Sequence, residues 1–248
     1  MIDIHAHILP GVDDGSPSME DSLEMAVLAT ESGVSTMIVT PHCNLPRTDC
    51  LDTAGVTHAC AELSAALRAH GSTLRLSCGM EIFGTPDTAL RLREGSLCTL
   101  AGSRYPLVEF PFSDYAHEAT GILREILELG LRPIVAHPER YLFAQAEPRL
   151  LNLWTDMGCL LQVNRGSLLG RFGRREQALA FALVERGFAS FVASDAHSPL
   201  RRTPWMHDVY TLLCSEFSVR TADLLLKENP GRVLGNQQIT LDEPDWFD

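Results

Sequence analysis

The sequence predicts one α/β domain over residues 1–248, built on a parallel barrel or an open parallel sheet. Short apolar runs alternate with longer segments of helical spacing, as in repeated βα units. A chain of 248 residues also suits one α/β barrel. The apolar runs that predict strands are 2–4, 36–40, 74–78, 105–110, 133–136, 160–164 and 190–194.

Helix-like segments lie between most of these runs. The first, 19–32, carries Leu23, Ala26 and Val27 at helical spacing, and Gly33 follows it. Glycine closes four later segments in the same way, because it accepts the left-handed turn that ends a helix. These segments are 51–70, 118–129, 148–157 and 175–186, and one or two closing helices are expected over 203–226.

Composition argues against several classes of function. The formal net charge of −12 disfavours general nucleic-acid binding, since binding a polyanion relies on clustered cations. No apolar stretch is long enough to span a bilayer, so no membrane insertion is expected. Seven cysteines without a CxxC pair, together with the absence of an export signal, predict reduced thiols and a cytoplasmic location. A short acidic tail covers about 241–248.

Residues that can bind metal stand at the ends of six of the seven predicted strands. Parallel strands converge at their carboxyl ends, so these side chains should line one cavity. On a strand, residues two apart point to the same side, which lets each pair in His5-x-His7 and Asp195-x-His197 reach one cation. The candidate ligands at these strand ends are His5, His7, His42, Glu81, Glu109, His137, Asp195 and His197.

Each of these signals has a simpler interpretation when it stands alone. An HxH can be two unrelated surface histidines, and Asp13-Asp14-Gly15 is also typical of a turn. Buried glutamates need either a metal ion or an arginine. The joint pattern is stronger, and with Asp14 it gives nine candidates, which implies two or three ions. The remaining histidines are interpreted as surface or packing residues: His58, His70, His117 and His207.

Neighbouring divalent ions suit the hydrolysis of phosphate esters, because they acidify bound water and clamp phosphoryl oxygens. Arginine adds a planar, bidentate partner for phosphate. Arg140 follows His137 by three residues, and Arg201 and Arg202 come soon after His197. Their alternative interpretation is as solvated loop arginines.

Motifs along nearly the whole chain carry a family resemblance. They are MIDIHAHILPGVDDG at the start, then TPH, GMEI, SRYPLVEFP, PIVAHPERY, MGCLLQVNRGSLLGRFG and ASDAHS, in this order. The chain resembles the PHP (polymerase and histidinol phosphatase) superfamily. More narrowly, it is similar to the manganese-dependent protein-tyrosine phosphatases of bacterial capsule and exopolysaccharide operons.

This resemblance implies a distorted (β/α)₇ barrel with three divalent ions, manganese first and iron or zinc as alternatives. It implies that Arg140 and Arg202 bind phosphate, with Arg201 as the alternative to Arg202. The implied partner is a phosphotyrosine protein, specifically a bacterial tyrosine autokinase. The resemblance leaves open whether the chain forms a homo-oligomer. The implied ligand sets are His5, His7, Glu81 and Asp195 for one ion, Glu81, Glu109 and His137 for a second, and Asp14, His42 and His197 for the third.

Three alternative functions fit parts of the same sequence. Cysteine-dependent phosphatases use Cys-x₅-Arg, a spacing that begins here at Cys98, Cys159 and Cys214. None of the three lies between a predicted strand and a helix, as that mechanism requires. A histidinol-phosphate or other small-molecule phosphoesterase keeps the metal cluster, and a non-catalytic metal-binding protein is a third alternative. The segment 43–52 follows no recognised pattern and is a candidate wall of the substrate pocket.

Overall fold

The computed structural model describes residues 1–48, 50–113, 115–240 and 243–247, so the predicted acidic tail lies partly outside the described residues. Within these ranges all paired strands are parallel, in a three-stranded sheet of order β1-β2-β4 and a six-stranded sheet of order β3-β5-β6-β7-β8-β9. The strands are β1 Ile2–Ala6, β2 Thr36–Val39, β3 His42–Cys43, β4 Arg75–Cys78, β5 Glu81–Phe83, β6 Leu107–Glu109, β7 Ile134–Ala136, β8 Leu160–Asn164 and β9 Ala189–Ala193.

Two predicted strands are each divided in two, which corrects the sequence prediction. The run 36–40 corresponds to β2, and the chain resumes as β3 at His42 after Pro41. The run 74–78 corresponds to β4, and β5 begins at Glu81. Pro41 cannot donate to a strand ladder, so the pairing is interrupted there. His42 and Glu81 therefore begin the second half of a strand instead of ending the first.

The ends of the strand series meet next to β1. The amide of Asp195 donates to the His5 carbonyl at 2.9 Å, and the amide of His7 donates to the Ala196 carbonyl at 2.8 Å. A parallel bridge joins Ala6 to Ala196. With β2/β3 and β4/β5 each occupying one position, seven strand positions form a distorted parallel barrel. The predicted fold class is confirmed.

Helices cover the outside of the sheets. The glycines after the five predicted helices that end in glycine all have positive φ, between 72° and 105°. The closing segment 203–226 is divided into more helices than expected, and four short helices among the described residues lie outside the predicted segments. The described helices are Met19–Glu31, Thr53–Ala69, Thr88–Glu94, Ala116–Glu128, Leu142–Ala146, Arg149–Asp156, Arg165–Leu168, Arg174–Glu185, His207–Glu216, Val219–Asp223 and Asn229–Leu234, with a π-helical turn at Leu224–Glu228.

Two apolar cores result from the alternation of side chains along the strands. Ile4, Ile38, Leu107 and Ile134 fill the barrel interior together with Phe191. Strand residues of the other face pack against the helices in a larger cluster. Among the described residues, no helix has the length and apolar character needed to cross a membrane. With the interior filled, the open carboxyl ends of the strands remain as the place for a site.

Candidate metal and phosphate site

Glu81 lies at the centre of the predicted cluster. Its carboxylate is within 3.2 Å of His5 Nε2 and His7 Nε2, and within 3.0 Å of His42 Nδ1 and His137 Nε2. Its side chain is only 1% exposed. Four imidazoles from three different strands, β1, β3 and β7, thus meet on one buried carboxylate.

Asp195 and Glu109 extend this group on two sides. Asp195 Oδ1 is 3.5 Å from the Nε2 atoms of both His5 and His7. Glu109 lies 3.5 Å from His137 Nε2 and 3.8 Å from a nitrogen of His42. These contacts bring together residues that are up to 190 positions apart in the chain.

Asp14 and His197 form the outer edge. Asp14 Oδ1 is 3.3 Å from His42 Nε2 and 3.4 Å from His197 Nε2. The Asp14 side chain is 68% exposed, in contrast to the buried carboxylates beneath it. All nine predicted ligands therefore line one continuous cluster, and the structure separates none of them.

Seven of the nine predicted ligands fall into three groups in which every donor atom lies within 4.8 Å of the others, and Asp195 and His137 belong to none of these groups. The first group has Glu81 with His5 and His7, and another has Glu81 with Glu109 and His42. Glu81 is shared by two groups, as a bridging ligand would be. His7, Asp14, His42 and His197 make the outer group, so His7 and His42 each stand between two groups.

Two features of the cluster suit cations. The buried Glu81 Oε2 is approached by two ring nitrogens, His42 Nδ1 at 3.0 Å and His7 Nε2 at 3.2 Å. The Nε2 atoms of His5 and His7 point at each other across 3.2 Å. Buried carboxylate oxygens and converging imidazole nitrogens are costly unless a cation or proton lies between them. The residues present therefore fit divalent metal ions.

Without metal, protons take the place of cations. Burial opposes the charged form of His7, but hydrogen bonds to Asp13 and Glu81 raise its pKa to about 9. Burial likewise opposes charge on His42, while hydrogen bonds to Asp14 and Glu81 raise its pKa to about 11. Burial next to Glu81 raises the pKa of Glu109 to about 8. In the metal-free site His7 and His42 are thus imidazolium groups, whereas burial lowers the pKa of His137 to about 4 and lowers that of His197.

Three supporting residues were not predicted. Asp13 accepts a hydrogen bond from His7 Nδ1 at 2.7 Å and from the backbone N–H of His42 at 3.0 Å. Gln162 contacts His5 Nδ1 at 2.8 Å, and Asn164 donates to Asp195 at 2.5 Å. Gln162 and Asn164 are two apart on a strand whose other residues are apolar, a pattern that could have revealed them.

Two ligand candidates have strained backbones. His137 has a φ of 33° and Asp195 a φ of 50°, in the left-handed region that non-glycine residues rarely adopt. Such strain costs on the order of 1–3 kcal/mol and occurs mostly at functional sites. In each case the turn directly follows a strand and directs the side chain into the cluster.

Both predicted arginines reach the cluster. Arg140 Nη1 is 3.4 Å from Asp195 Oδ2, and the Nη2 of Arg202 is paired with the same oxygen. Arg201 is exposed, and its carbonyl accepts a hydrogen bond from Arg171. The structure therefore directs Arg202 toward the cluster, and Arg201 away from it.

A cavity of about 510 Å³ opens above the cluster. Its wall includes Leu45, Thr48 and Cys50 from the segment 43–52, as expected for that segment, although Asp49 lies outside the described residues. Cys98, Cys159 and Cys214 are not among the described residues that line the cavity. The Cys-x₅-Arg spacings therefore contribute no cysteine nucleophile to this site. The lining residues are Val12, Asp13, Asp14, His42, Leu45, Thr48, Cys50, Glu81, Glu109, Phe112, His137, Arg140, Asp195, His197 and Arg202.

Comparisons with known proteins all indicate the same family. Residues 1–235 match the family described as capsular polysaccharide synthesis, CpsB/CapC. The chain belongs to the CpsB/CapC family. It is 35% identical to the tyrosine-protein phosphatase YwqE of Bacillus subtilis, over 98% of this chain and 95% of that protein. It is 30% identical to the tyrosine-protein phosphatase CpsB of Streptococcus pneumoniae, over 96% of this chain and all of that protein.

Solved structures agree with this membership. The chain superposes with a TM-score of 0.95 and 34% identity, over the whole of both chains, on a structure described under YwqE from Bacillus subtilis and CpsB from Streptococcus pneumoniae as unique metal-dependent tyrosine phosphatases. A phosphotriesterase homology protein from Escherichia coli, at 15% identity and a TM-score of 0.60, shares the fold alone. The family resemblance that the motifs indicated is confirmed.

Proposed function

We propose that this CpsB/CapC family member is a metal-dependent protein-tyrosine phosphatase. The observation that carries the proposal is one cluster beneath the cavity, in which five imidazoles and four carboxylates converge beside two arginines that share one carboxylate oxygen. The names of YwqE and CpsB, which this chain resembles over nearly its whole length, support the same activity. Metal groups together with paired arginines suit a phosphate monoester better than an uncharged substrate.

Three divalent ions would be held by overlapping residues, with manganese as the first choice and iron or zinc as alternatives. When bound, such ions polarise phosphoryl oxygens and make water acidic enough to attack near neutral pH. His5, His7, Glu81 and Asp195 would hold one ion, Glu81, Glu109 and His137 a second, and Asp14, His42 and His197 the third.

The chain's own residues bind and orient the ester. Arg140 and Arg202 each offer N–H donors at the mouth of the cluster, where they would grip phosphate oxygens and oppose their growing charge. Asp195 holds both guanidinium groups in place before the substrate arrives. Val12, Leu45 and Phe112 give the cavity apolar walls, which suit the ring of a tyrosine.

The substrate within this class would be a phosphotyrosine protein, and specifically a bacterial tyrosine autokinase that controls capsule or exopolysaccharide synthesis. The family's link with capsular polysaccharide synthesis supports this choice. A cytoplasmic location fits, because the seven cysteines are all free thiols.

A substrate panel tests the proposal. The purified chain, supplied with manganese, should hydrolyse a phosphotyrosine peptide faster than a phosphoserine peptide or histidinol phosphate. A chelator should abolish this hydrolysis, and Cys98→Ser should leave it unchanged. Faster cleavage of histidinol phosphate would replace the proposed substrate, and hydrolysis that survives thorough chelation would refute the metal-dependent mechanism.

A further inference from the structure

The guanidinium of Arg140 lies between two phenyl rings. Its Cζ atom is 4.5 Å from the centre of the Phe112 ring and 4.6 Å from the centre of the Phe172 ring. The Cζ atom of Arg202 is 5.8 Å from the same Phe172 ring. A guanidinium within about 6 Å of an aromatic face is attracted by the ring quadrupole. Phe172 therefore contacts both candidate phosphate-binding arginines.

The two arginines bring two positive charges close together, and contact with the Phe172 ring offsets part of their repulsion. Both guanidinium groups point to Asp195 Oδ2, so two positive charges share one carboxylate. Arg202 Nε is buried and has no hydrogen-bond partner among the described residues. The electron-rich face of Phe172 adds a second attraction for each cation without occupying the donors that phosphate needs.

The Phe172 ring is fixed from behind by Gly166. A Cβ added at Gly166 would lie 2.5 Å from a carbon of the ring, so the ring packs directly on the glycine backbone. Phe172 is not among the residues that line the cavity. It is therefore placed to act through the arginines and not by touching a substrate.

The segment that carries Phe172 is also tied to the loop that carries Arg202. Arg171, next to Phe172, donates to the carbonyl of Arg201 at 3.3 Å. Arg165, at the start of the same segment, donates to Asp208 at 2.8 Å and to the carbonyl of Thr203 at 3.0 Å. A change in the 165–173 segment would consequently be transmitted to Arg202.

We propose that Phe172 is a positioning residue that holds Arg140 and Arg202 on a shared aromatic face, so that both point to one phosphate group. The inference rests on the proposed function, since it assumes that these arginines bind phosphate. It gives a role to the GRFG sequence at 170–173, which the metal cluster leaves unexplained.

The test compares Phe172→Leu with the wild-type chain, both loaded with manganese. Leucine keeps an apolar side chain but has no aromatic face. The affinity for inorganic phosphate, measured by calorimetry, should fall between about threefold and thirtyfold, while metal content stays the same. The Nε–H signals of the two arginines, followed by NMR in the chain loaded with diamagnetic zinc instead of manganese, should show greater side-chain mobility. Phe181→Leu is the matched control, because Phe181 packs against Phe217 away from the arginines.

Phosphate affinity equal to that of the wild-type chain would overturn the inference. A loss of affinity with arginine side chains as ordered as before would also overturn it, because the effect would then not pass through their positions. Failure of the proposed function looks different: a wild-type chain that binds phosphate but cleaves no phosphotyrosine would refute the activity while Phe172 could still be assessed by binding.

Discussion

The inner and outer parts of the ligand cluster use the same types of side chain in different surroundings. At the inner part, His5, Glu81 and Asp195 are at most 1% exposed, and backbone and side-chain hydrogen bonds hold them between strands. At the outer edge, the side chain of Asp14 is 68% exposed and that of His42 is 18% exposed. Water can solvate the outer charges, whereas the inner charges depend on cations or protons.

This difference predicts two kinds of metal site in one cluster. Ions at the inner part would be retained tightly, because removing them leaves buried charges without partners. An ion at the outer edge would exchange more readily, since its ligands can return to water.

Replacing the shared carboxylate should have the largest effect. In Glu81→Gln, the side chain that joins two of the donor groups loses its charge, so inner metal should be lost and turnover should fall by at least about a thousandfold. Metal analysis and hydrolysis of a phosphotyrosine peptide measure both. Glu62→Gln, at a largely exposed helix position, is the matched control. Full inner metal content in Glu81→Gln would contradict the central role of this residue.

Arg140→Ala should separate phosphate binding from metal binding. Removing a donor that meets developing charge costs about 10²–10³ in turnover, and the metal content should stay that of the wild-type chain. The matched control is Arg201→Ala, which removes an exposed arginine and should change turnover little. Equal losses in the two variants would mean that Arg140 has no special position.

Asp13→Asn tests the support beneath the cluster. The Asp13 carboxylate accepts from His7 Nδ1 and so leaves His7 Nε2 free to face the cluster. Losing this orientation should weaken metal binding by about 10- to 100-fold, measured by competition with a chelator. Unchanged affinity would show that the His7 ring is held by packing alone.

Metal affinity should rise with pH. Burial opposes charge on His7, but its bonds to Asp13 and Glu81 raise its pKa to about 9, so it is protonated near neutral pH in the metal-free chain. Metal must displace that proton, which gives about a tenfold gain in affinity per pH unit below 9 for each proton released. Calorimetry in buffers of different ionisation enthalpy counts the protons. A count of zero at pH 7 would contradict the imidazolium state.

Asp14→Asn should have the smallest effect. It weakens only the outer group, so the most easily removed ion should be lost at chelator concentrations up to about tenfold lower, while the inner ions remain. Stepwise chelation followed by metal analysis measures this order. Simultaneous loss of all ions would show that the inner and outer parts form a single cooperative site.

The period of a β-strand explains which parts of the site the sequence could predict. His5 and His7 stand two positions apart at the end of β1, and this spacing places both side chains on one side. Asp195 and His197 have the same spacing but follow the end of β9, where the left-handed φ of Asp195 sets their direction. The convergence of parallel strands then brings distant pairs together. The sharing of His7 and His42 between donor groups depends on ångström-scale positions, which spacing does not determine.

Other features depend on tertiary contacts that leave only a weak trace in the sequence. In the sequence, Asp13 is typical of a turn. Its hydrogen bond from the His42 backbone N–H forms only because the fold places β3 beside it. In the sequence, Phe172 is typical of an apolar loop residue. Its contact with Gly166 depends on the turn between them, which the sequence pattern does not reveal. The helix Thr88–Glu94 has only seven residues, too few for a clear apolar period.

The barrel consists of two sheets, and the ligand cluster takes residues from both of them. His5 belongs to the three-stranded sheet, and Glu81 and His42 belong to the six-stranded sheet, so bound ions would fasten one sheet to the other. Ions that bind only the folded state add RT ln(1 + [M]/Kd) to its stability. When metal is scarce, the contact between the two sheets would weaken and the chain would become more accessible to proteases. The amount of this protein in a cell would follow the supply of its ions as well as the rate of its synthesis.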